Sequence, residues 1–206
     1  MPVSWHNAEF VERDFGEVDL AGAKLRSCRF ERCQFRGSSL VEAQSQACLF
    51  VECDFRGARL ASSRHAGSQF LTCQFGMTDV FGARFEECKL VGTTFLEADL
   101  TAASIAGGDW SYTNLRHAKL PGLDLRGVRL VEADLYGSDL RDADLRGADL
   151  SRALLAQVKL RDADLRGARL ERVDLSGLDL RGVRLDLAQA VHLARCLGAR
   201  VDDVDD

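Results

Sequence analysis

Residues 143–150 read Ala143-Asp144-Leu145-Arg146-Gly147-Ala148-Asp149-Leu150, and residues 163–170 repeat them almost unchanged as Ala163-Asp164-Leu165-Arg166-Gly167-Ala168-Arg169-Leu170. The unit is five residues long: a small residue, a polar residue, Leu, a polar residue and often Gly. Its register extends in both directions without a slip. Every residue whose number is a multiple of five, from Trp5 to Leu185, is a centre. All of these centres but Ser45 and His65 are apolar, in a chain that is 46% hydrophobic. Of the 11 Phe residues only Phe81 is not a centre. Two positions before each centre stands a small or aliphatic residue, Arg13 being the clear exception. A period sustained this far is a repeat architecture.

The unit has a direct physical reading. The small residue and the centre are two apart, so in an extended chain they point the same way and the residue between them points out. The two residues after the centre must turn the chain. Of the 18 Gly, about 14 fall on the second of them, which suits a turn needing positive φ there, as in type II. Pro121-Gly122 is the strongest instance. A helix is excluded as the repeat, because about 100° per residue would scatter the centres around its axis.

A slower period sets the coil. Phe centres come in pairs, Phe10/Phe15, Phe30/Phe35, Phe50/Phe55 and Phe70/Phe75, recurring every 20 residues. Cysteines follow suit, with Cys28, Cys48 and Cys88 in one column and Cys33, Cys53 and Cys73 in another. Four units therefore close one coil of square section. About nine coils at the ~4.8 Å inter-strand spacing predict an all-β rod ~43 Å long.

Units such as Ala143-Asp144-Leu145-Arg146-Gly147 resemble the repeat of pentapeptide-repeat proteins, over residues 3 to about 185. That resemblance implies a right-handed quadrilateral β-helix. A narrower likeness is to the Qnr and MfpA branch. It rests on the length, the N-terminal Phe centres preceded by Cys, the C-terminal units like Ala-Asp-Leu-Arg-Gly, and a closing helix. That branch implies a DNA mimic that binds DNA gyrase or another type II topoisomerase, modulates or inhibits it, and protects it from quinolones. It also implies a homodimer through the C-terminal end. Qnr proteins often carry projecting loops, whereas here the five-residue register is unbroken, as in MfpA. The alternative is a structural or interaction rod with another protein partner.

Composition bounds these readings. At 206 residues, with no linker-like stretch, one domain is expected over 1–206: the β-helix at 3–185, a capping or dimerisation helix at 186–198 and an acidic tail at 199–206. Residues 1–20 hold Glu9, Glu12, Asp14, Glu17 and Asp19 and no apolar run, so neither leader nor membrane span is expected. A net charge of −5 argues against direct nucleic-acid binding and permits an imitator of it. The inward Cys positions read as packing, without a CxxC pair or partnering His for zinc, and fit a reducing cytoplasm. Neither metal nor cofactor is implied.

Charge follows the coil. On the wall with centres Phe15, Phe55, Leu135 and Leu175, the outward residues are Asp14, Gln34, Asp54, Gln74, Thr94, Asn114, Asp134, Leu154 and Asp174. The corner leading into it adds Glu12, Glu31, Glu52, Glu132 and Glu171, diluted by Arg32, Arg152 and Arg172. The candidate partner-binding face is therefore Glu12, Asp14, Glu52, Asp54, Glu132, Asp134, Glu171 and Asp174. The next wall has Asp19, Asp79, Asp99, Asp139 and Asp179 against Arg59, Lys119 and Lys159. Duplex DNA shows a charge every ~1.7 Å, so such a face could match only selected basic pockets. Asp at this position can equally serve the neighbouring turn by hydrogen bonding. Arg126, Arg146, Arg166 and Arg181 lie at corners and would neutralise neighbouring walls.

The C-terminal segment changes period. Leu187, Val191, Ala194 and Leu197 share a helical face with Ala190, between the N-cap Asp186 and the stop Gly198. That stripe is the candidate dimer contact. The acids Asp202, Asp203, Asp205 and Asp206 read as a solvated tail. At the other end Trp5 and His6 are candidate lids over the Phe column. Ser45 and His65, one coil apart, predict a polar pair satisfied inside the core or a distorted wall. Gly108 beside the centre Trp110 predicts repacking where Phe gives way to Leu, and Tyr112 and Phe81 read as exposed aromatics. The four His (His6, His65, His117, His192) are dispersed and no nucleophile or phosphate loop is recognisable, so no enzyme is expected.

Overall fold

A computed structural model describes residues 2–98 and 100–202. The sequence expectations for Asp99 and for the tail acids Asp203, Asp205 and Asp206 lie outside the described residues.

The chain winds as a four-walled solenoid with 20 residues per coil. Its named strands, three residues each, are β1 (Ser4–His6), β2 (Glu9–Val11), β3 (Lys24–Arg26), β4 (Arg29–Glu31), β5 (Gln44–Gln46), β6 (Leu49–Val51), β7 (Arg64–Ala66), β8 (Gln69–Leu71), β9 (Arg84–Glu86) and β10 (Ser104–Ala106). The first wall stacks β1-β3-β5-β7-β9-β10 and the second stacks β2-β4-β6-β8, all parallel. Trp5 pairs with Leu25 and Phe10 with Phe30, so each coil lies in register on the last. The third and fourth walls are ladders of single bridges, Asp14 to Gln34 and Asp19 to Ser39 onward, and the first two walls continue so, through Asp124 to Asp144 and Arg129 to Asp149. In each strand the middle residue points in and its neighbours point out.

The core is the column of centres and small residues. Phe30, Phe50 and Phe70 stack at 4.8 and 4.7 Å, and Phe35, Phe55 and Phe75 at 4.7 Å, with edge contacts of 5.6 Å between the columns. The 20-residue repeat imposes this spacing, since rings one coil apart must sit one strand spacing apart. Trp5 closes the column, 4.8 Å from Phe10 and 5.6 Å from Phe15. His6 does not share that role: it is the outward residue of β1 and is exposed. Trp110 is fully buried and stacks on Phe95 at 5.5 Å, at the seam where Phe gives way to Leu. Gly108 beside it has φ +91°, and a Cβ there would collide with the Cys88 carbonyl oxygen.

The corners up to Leu170 obey one rule. From Asn7 to Arg172, the second residue after each centre has positive φ, whether glycine or not. Glycine is thus a preference that relieves strain and not a requirement. The corners otherwise come in two kinds. Most carry the turn bond, such as Val18 N–H to Phe15 O at 3.2 Å. Those after Trp5, Phe10, Leu25, Phe30, Ser45, Phe50, His65, Phe70, Phe85 and Ile105 are bends without it. The next inward residue there is Ala8 or Arg13 in the first coil and, from Leu25 on, Cys28, Cys33, Cys48, Cys53, Ser68, Cys73, Cys88 or Gly108. The thiols are therefore more than packing. Cys53 Sγ lies 3.5 Å from Phe30 O and 3.4 Å from Val51 O, and Cys73 Sγ lies 3.5 Å from Phe50 O, where a weak S–H donor reaches carbonyls at corners lacking the turn bond. Burial pushes the Cys48 and Cys88 thiols up to about 11, so they stay protonated.

Ser45 and His65 are a satisfied polar island. His65 Nδ1 lies 2.7 Å from Ser45 Oγ, its Nε2 lies 3.0 Å from Ser63 Oγ, and Ser68 Oγ lies 3.0 Å from Ser45 Oγ. The imidazole stacks on Phe85 at 5.0 Å. Burial lowers its pKa to about 3, so the ring is neutral. The wall is not distorted: β5 and β7 pair in register through Ser45 and His65.

The helix α1 (Leu187–Cys196) ends the rod. Asp186 accepts from Gln189 N–H at 3.1 Å and Gln189 Oε1 accepts from Asp186 N–H at 3.0 Å, a reciprocal cap. At the other end Gly198 N–H reaches Arg195 O and Ala199 N–H reaches Ala194 O, with Gly198 at φ +86°.

Candidate partner-binding surfaces

The predicted acidic face can now be placed side chain by side chain. Its acids do line one wall and one corner, because outward positions 20 residues apart stack in register. They are not equally free. Asp14 and Asp174 are exposed, and each carboxylate accepts the N–H two residues on, from Gly16 and from Ser176, both at 2.8 Å. The Ser176 N–H holds the Asp174 carboxyl below the usual range. Glu52 is exposed and has no ion pair among the described residues. Glu12 pairs with Arg32 at 2.9 Å, Glu132 with Arg152 at 2.9 Å, and Glu171 with Arg169 at 3.2 Å.

Two members differ from the sequence reading. Asp54 is buried, 6% exposed, under Arg36 Nε at 2.5 Å and Arg56 Nη2 at 2.6 Å. Asp134 is half-buried, bound by Arg116 Nη1 at 3.0 Å. The reading of this wall as acids without a base holds for the outward column alone. Its corner supplies Arg36, Arg56 and Arg116, whose length lets them fold back over the wall. Leu154, 57% exposed, also sits in this column.

The arginines expected to neutralise other walls do so, each by gripping the Asp two residues earlier. Arg126 binds Asp124 at 2.7 Å, Arg146 binds Asp144 at 2.6 Å, Arg166 binds Asp164 at 2.6 Å and Arg181 binds Asp179 at 2.5 Å. Arg166 holds the Asp164 carboxyl down to about 2, and Arg181 does the same for Asp179.

The helix stripe is placed less simply. Leu187 is 81% and Leu197 65% exposed, Ala190 is exposed, and Val191 and Ala194 are half-buried. The helix instead faces the rod with Gln189, His192, Leu193 and Cys196. Gln189 Nε2 donates to Ala168 O at 2.9 Å and also to Leu165 O, and His192 Nε2 lies 2.7 Å from Val173 O. These side chains satisfy carbonyls of the last coils, a role that apolar periodicity does not reveal. The signal for it was the Gln at the third helical position.

Tyr112 and Phe81 are exposed as expected, but the sequence reading passed over two further surfaces. Met77 (62% exposed) and Leu96 (47%) meet across adjacent coils, with Met77 N–H bonded to Leu96 O at 3.0 Å, and Phe81 (51%) lies across the fourth wall from them. The first wall carries a row of cations. Among the described residues no group of His, Cys, Asp and Glu could hold a metal ion, and no helix is long and apolar enough to cross a membrane.

A four-walled β-solenoid with stacked inward columns and patterned outward charge defines the class: a repeat scaffold that presents surfaces. The pentapeptide-repeat family model, in 8 copies, matches residues 14–44, 81–109, 111–147 and 148–186, and the chain belongs to that family. No curated protein matches it by sequence search. Among solved structures it is similar to a trypsin-treated variant of QnrB1, described as a plasmid-mediated fluoroquinolone resistance protein. The TM-score is 0.86 at 25% identity, covering 97% of this chain and 100% of the other. A second trypsin-treated QnrB1 variant gives a TM-score of 0.74 at 25% identity over 96% and 99% of the two chains. Full-length QnrB1 shares the fold, with a TM-score of 0.80 at 24% identity over 95% and 100%.

Proposed function

We propose that this protein is a DNA-mimicking binder of DNA gyrase or another type II topoisomerase, which modulates or inhibits the enzyme and protects it from quinolone-type poisons. The observation that carries the reading is end-to-end similarity to a fluoroquinolone resistance protein, over 97% of this chain and all of that one. The Qnr and MfpA resemblance of the sequence points the same way. The mechanism is occupation of the enzyme's DNA-binding saddle by charge, without chemistry. Glu12, Asp14, Glu52, Glu132, Glu171 and Asp174 are the carboxylates placed to meet basic pockets, and Asp134 joins them when Arg116 swings away. Asp54 serves the wall rather than the partner.

The working form is a homodimer in the cytoplasm, joined through the stripe of Leu187, Val191, Ala194 and Leu197. The exposure of Leu187 and Leu197 supports this, since apolar side chains at a rod end gain by burial against a second copy. Leu187→Glu with Leu197→Glu yields monomer by light scattering, while a rod that stays dimeric removes the stripe from the interface.

The test of function is supercoiling by purified gyrase with the protein titrated in, with and without a quinolone. Inhibition, or rescue from the drug, is expected. Asp14→Lys with Asp174→Lys weakens either effect without unfolding the rod. No response from folded protein refutes the gyrase reading for the enzyme tested. A second reading, a rod for a different protein partner, is favoured by one observation: Arg36, Arg56 and Arg116 cover the middle of the acidic wall.

A further inference from the structure

We infer that the N-terminal half of the first wall is a docking face for the phosphate backbone of duplex nucleic acid. Net charge alone argues against such a partner, but the coil sorts charge by wall. The outward residues of β3, β5, β7 and β9 are Lys24 and Arg26, Gln44 and Gln46, Arg64 and Ala66, Arg84 and Glu86. Lys24, Gln44, Arg64 and Arg84 form one row in strict register along the rod axis. Lys24, Arg26, Arg64 and Arg84 are exposed, and none makes an ion pair or side-chain hydrogen bond among the described residues. Other cations are also unpaired, but Arg59, Lys119 and Lys159 alternate in register with Asp79 and Asp139 on the fourth wall, whereas these four gather on one wall. Further along the same wall Arg126, Arg146 and Arg166 each grip an Asp of their own unit. Glu42, Glu86 and Glu87 bound the patch at its edges without pairing to it.

Spacing and chemistry select the partner. Lys24 to Arg84 spans three coils, ~14 Å at the inter-strand spacing. One strand of a duplex presents about four phosphates over that length. Arg26 lies two residues from Lys24, ~6.6 Å across the wall, and Gln44 and Gln46 add neutral donors between the cations. A protein partner needs a desolvated apolar or aromatic centre. No exposed large hydrophobic residue occupies an outward position of this wall. Single-stranded nucleic acid would need aromatic platforms, which the wall also lacks. What remains is charge on a flat surface, which suits sequence-independent backbone contact. The first and third walls are opposite sides of the square, so the rod turns a basic face away from its acidic one. The inference stands without the gyrase reading, because its test contains no topoisomerase.

The experiment is fluorescence anisotropy of a labelled 20-base-pair duplex against the full chain from 20 to 200 mM salt. With four phosphate contacts the logarithmic salt slope is about −3.6, so affinity falls about 150-fold between 50 and 200 mM. The variant Lys24→Gln, Arg26→Gln, Arg64→Gln, Arg84→Gln loses at least about tenfold in affinity at 50 mM, and its slope approaches zero. The variant Arg126→Gln, Arg141→Gln, Arg146→Gln, Arg166→Gln has the same net charge and keeps the wild-type slope. Circular dichroism confirms that both stay folded. Absence of wild-type binding at 20 mM salt overturns the inference, as does an equal loss in the two variants. Displacement of the duplex by poly-glutamate at equal charge concentration also overturns it, assigning the face to an acidic protein.

Discussion

The two halves of the rod solve one repeat with different chemistry. Before residue 96 the core is stacked rings, half the corners lack the turn bond, and Cys, Ser or Thr hydroxyls and thiols reach the carbonyls. After residue 110 every corner through Leu180 makes its turn bond, the centres are Leu, and Ala or Val suffices beside most of them. The lesson is that the corner governs the choice of small residue. Where the backbone satisfies itself, the inward position needs only to be small. Where it does not, that position most often acquires a donor, Ala8 and Gly108 being the exceptions. The outer surface changes less sharply: Asp-x-Arg grips, represented before residue 96 by Arg56 on Asp54, become frequent after residue 110, while cross-coil pairs such as Arg36 with Asp54 and Arg116 with Asp134 occur in both halves.

The strongest test is at the seam. Trp110→Ala should destabilise the rod by about 3–5 kcal/mol in a denaturant titration, more than Leu145→Ala within the Leu half, because it opens a cavity under both Phe85 and Phe95. Equal losses would mean that the two halves pack alike. Next come the corners. Cys53→Ala should cost about 1–3 kcal/mol, since it removes both volume and the side-chain donor that reaches Phe30 O. Ser38→Ala should cost less, because Phe35 O keeps its bond from the Ser38 N–H at 3.1 Å. A reversed order of denaturation midpoints would refute the rule about donors.

Acid distinguishes the halves again. His65 titrates at about 6.5 when unfolded and about 3 when folded, so the unfolded chain binds the extra proton. Stability is therefore full above pH 6.5 and declines as pH falls toward 3, by up to about 1.4 kcal/mol per pH unit. His65→Phe should flatten that slope in a pH series of melts; an unchanged slope assigns it to other groups. Asp164, held down to about 2 by Arg166, acts later, losing its contribution only as pH falls below the usual carboxylate range. Smallest are the left-handed corners. Gly147→Ala should cost, and Arg172→Gly gain, about 1 kcal/mol or less, as both positions have positive φ. Opposite signs would show that glycine carries something other than backbone freedom.

The fold was legible because a five-residue period over the whole chain admits one geometry, and the Phe and Cys columns then count four units to a coil. Trp5 as lid, the burial of Ser45 and His65, and both helix caps were legible for a related reason: each depends on neighbours near in sequence or one coil away. The surfaces were less legible. Asp54 reads like Asp14, yet Arg36 and Arg56 cover it, and that depends on side-chain reach across coils. His6 reads as a lid and points out, because β1 places alternate residues on opposite faces.

By itself the sequence determined the period, the inward columns, the corner positions and the closing helix, since all of these follow from which residues repeat and how far apart. The tertiary structure alone decided which charges remain free. Ion pairing and burial join residues one coil apart or on adjoining corners, and the periodic code leaves long side chains free to choose among several partners. That choice left Lys24, Arg26, Arg64 and Arg84 open on one wall and closed Asp54 on the opposite one.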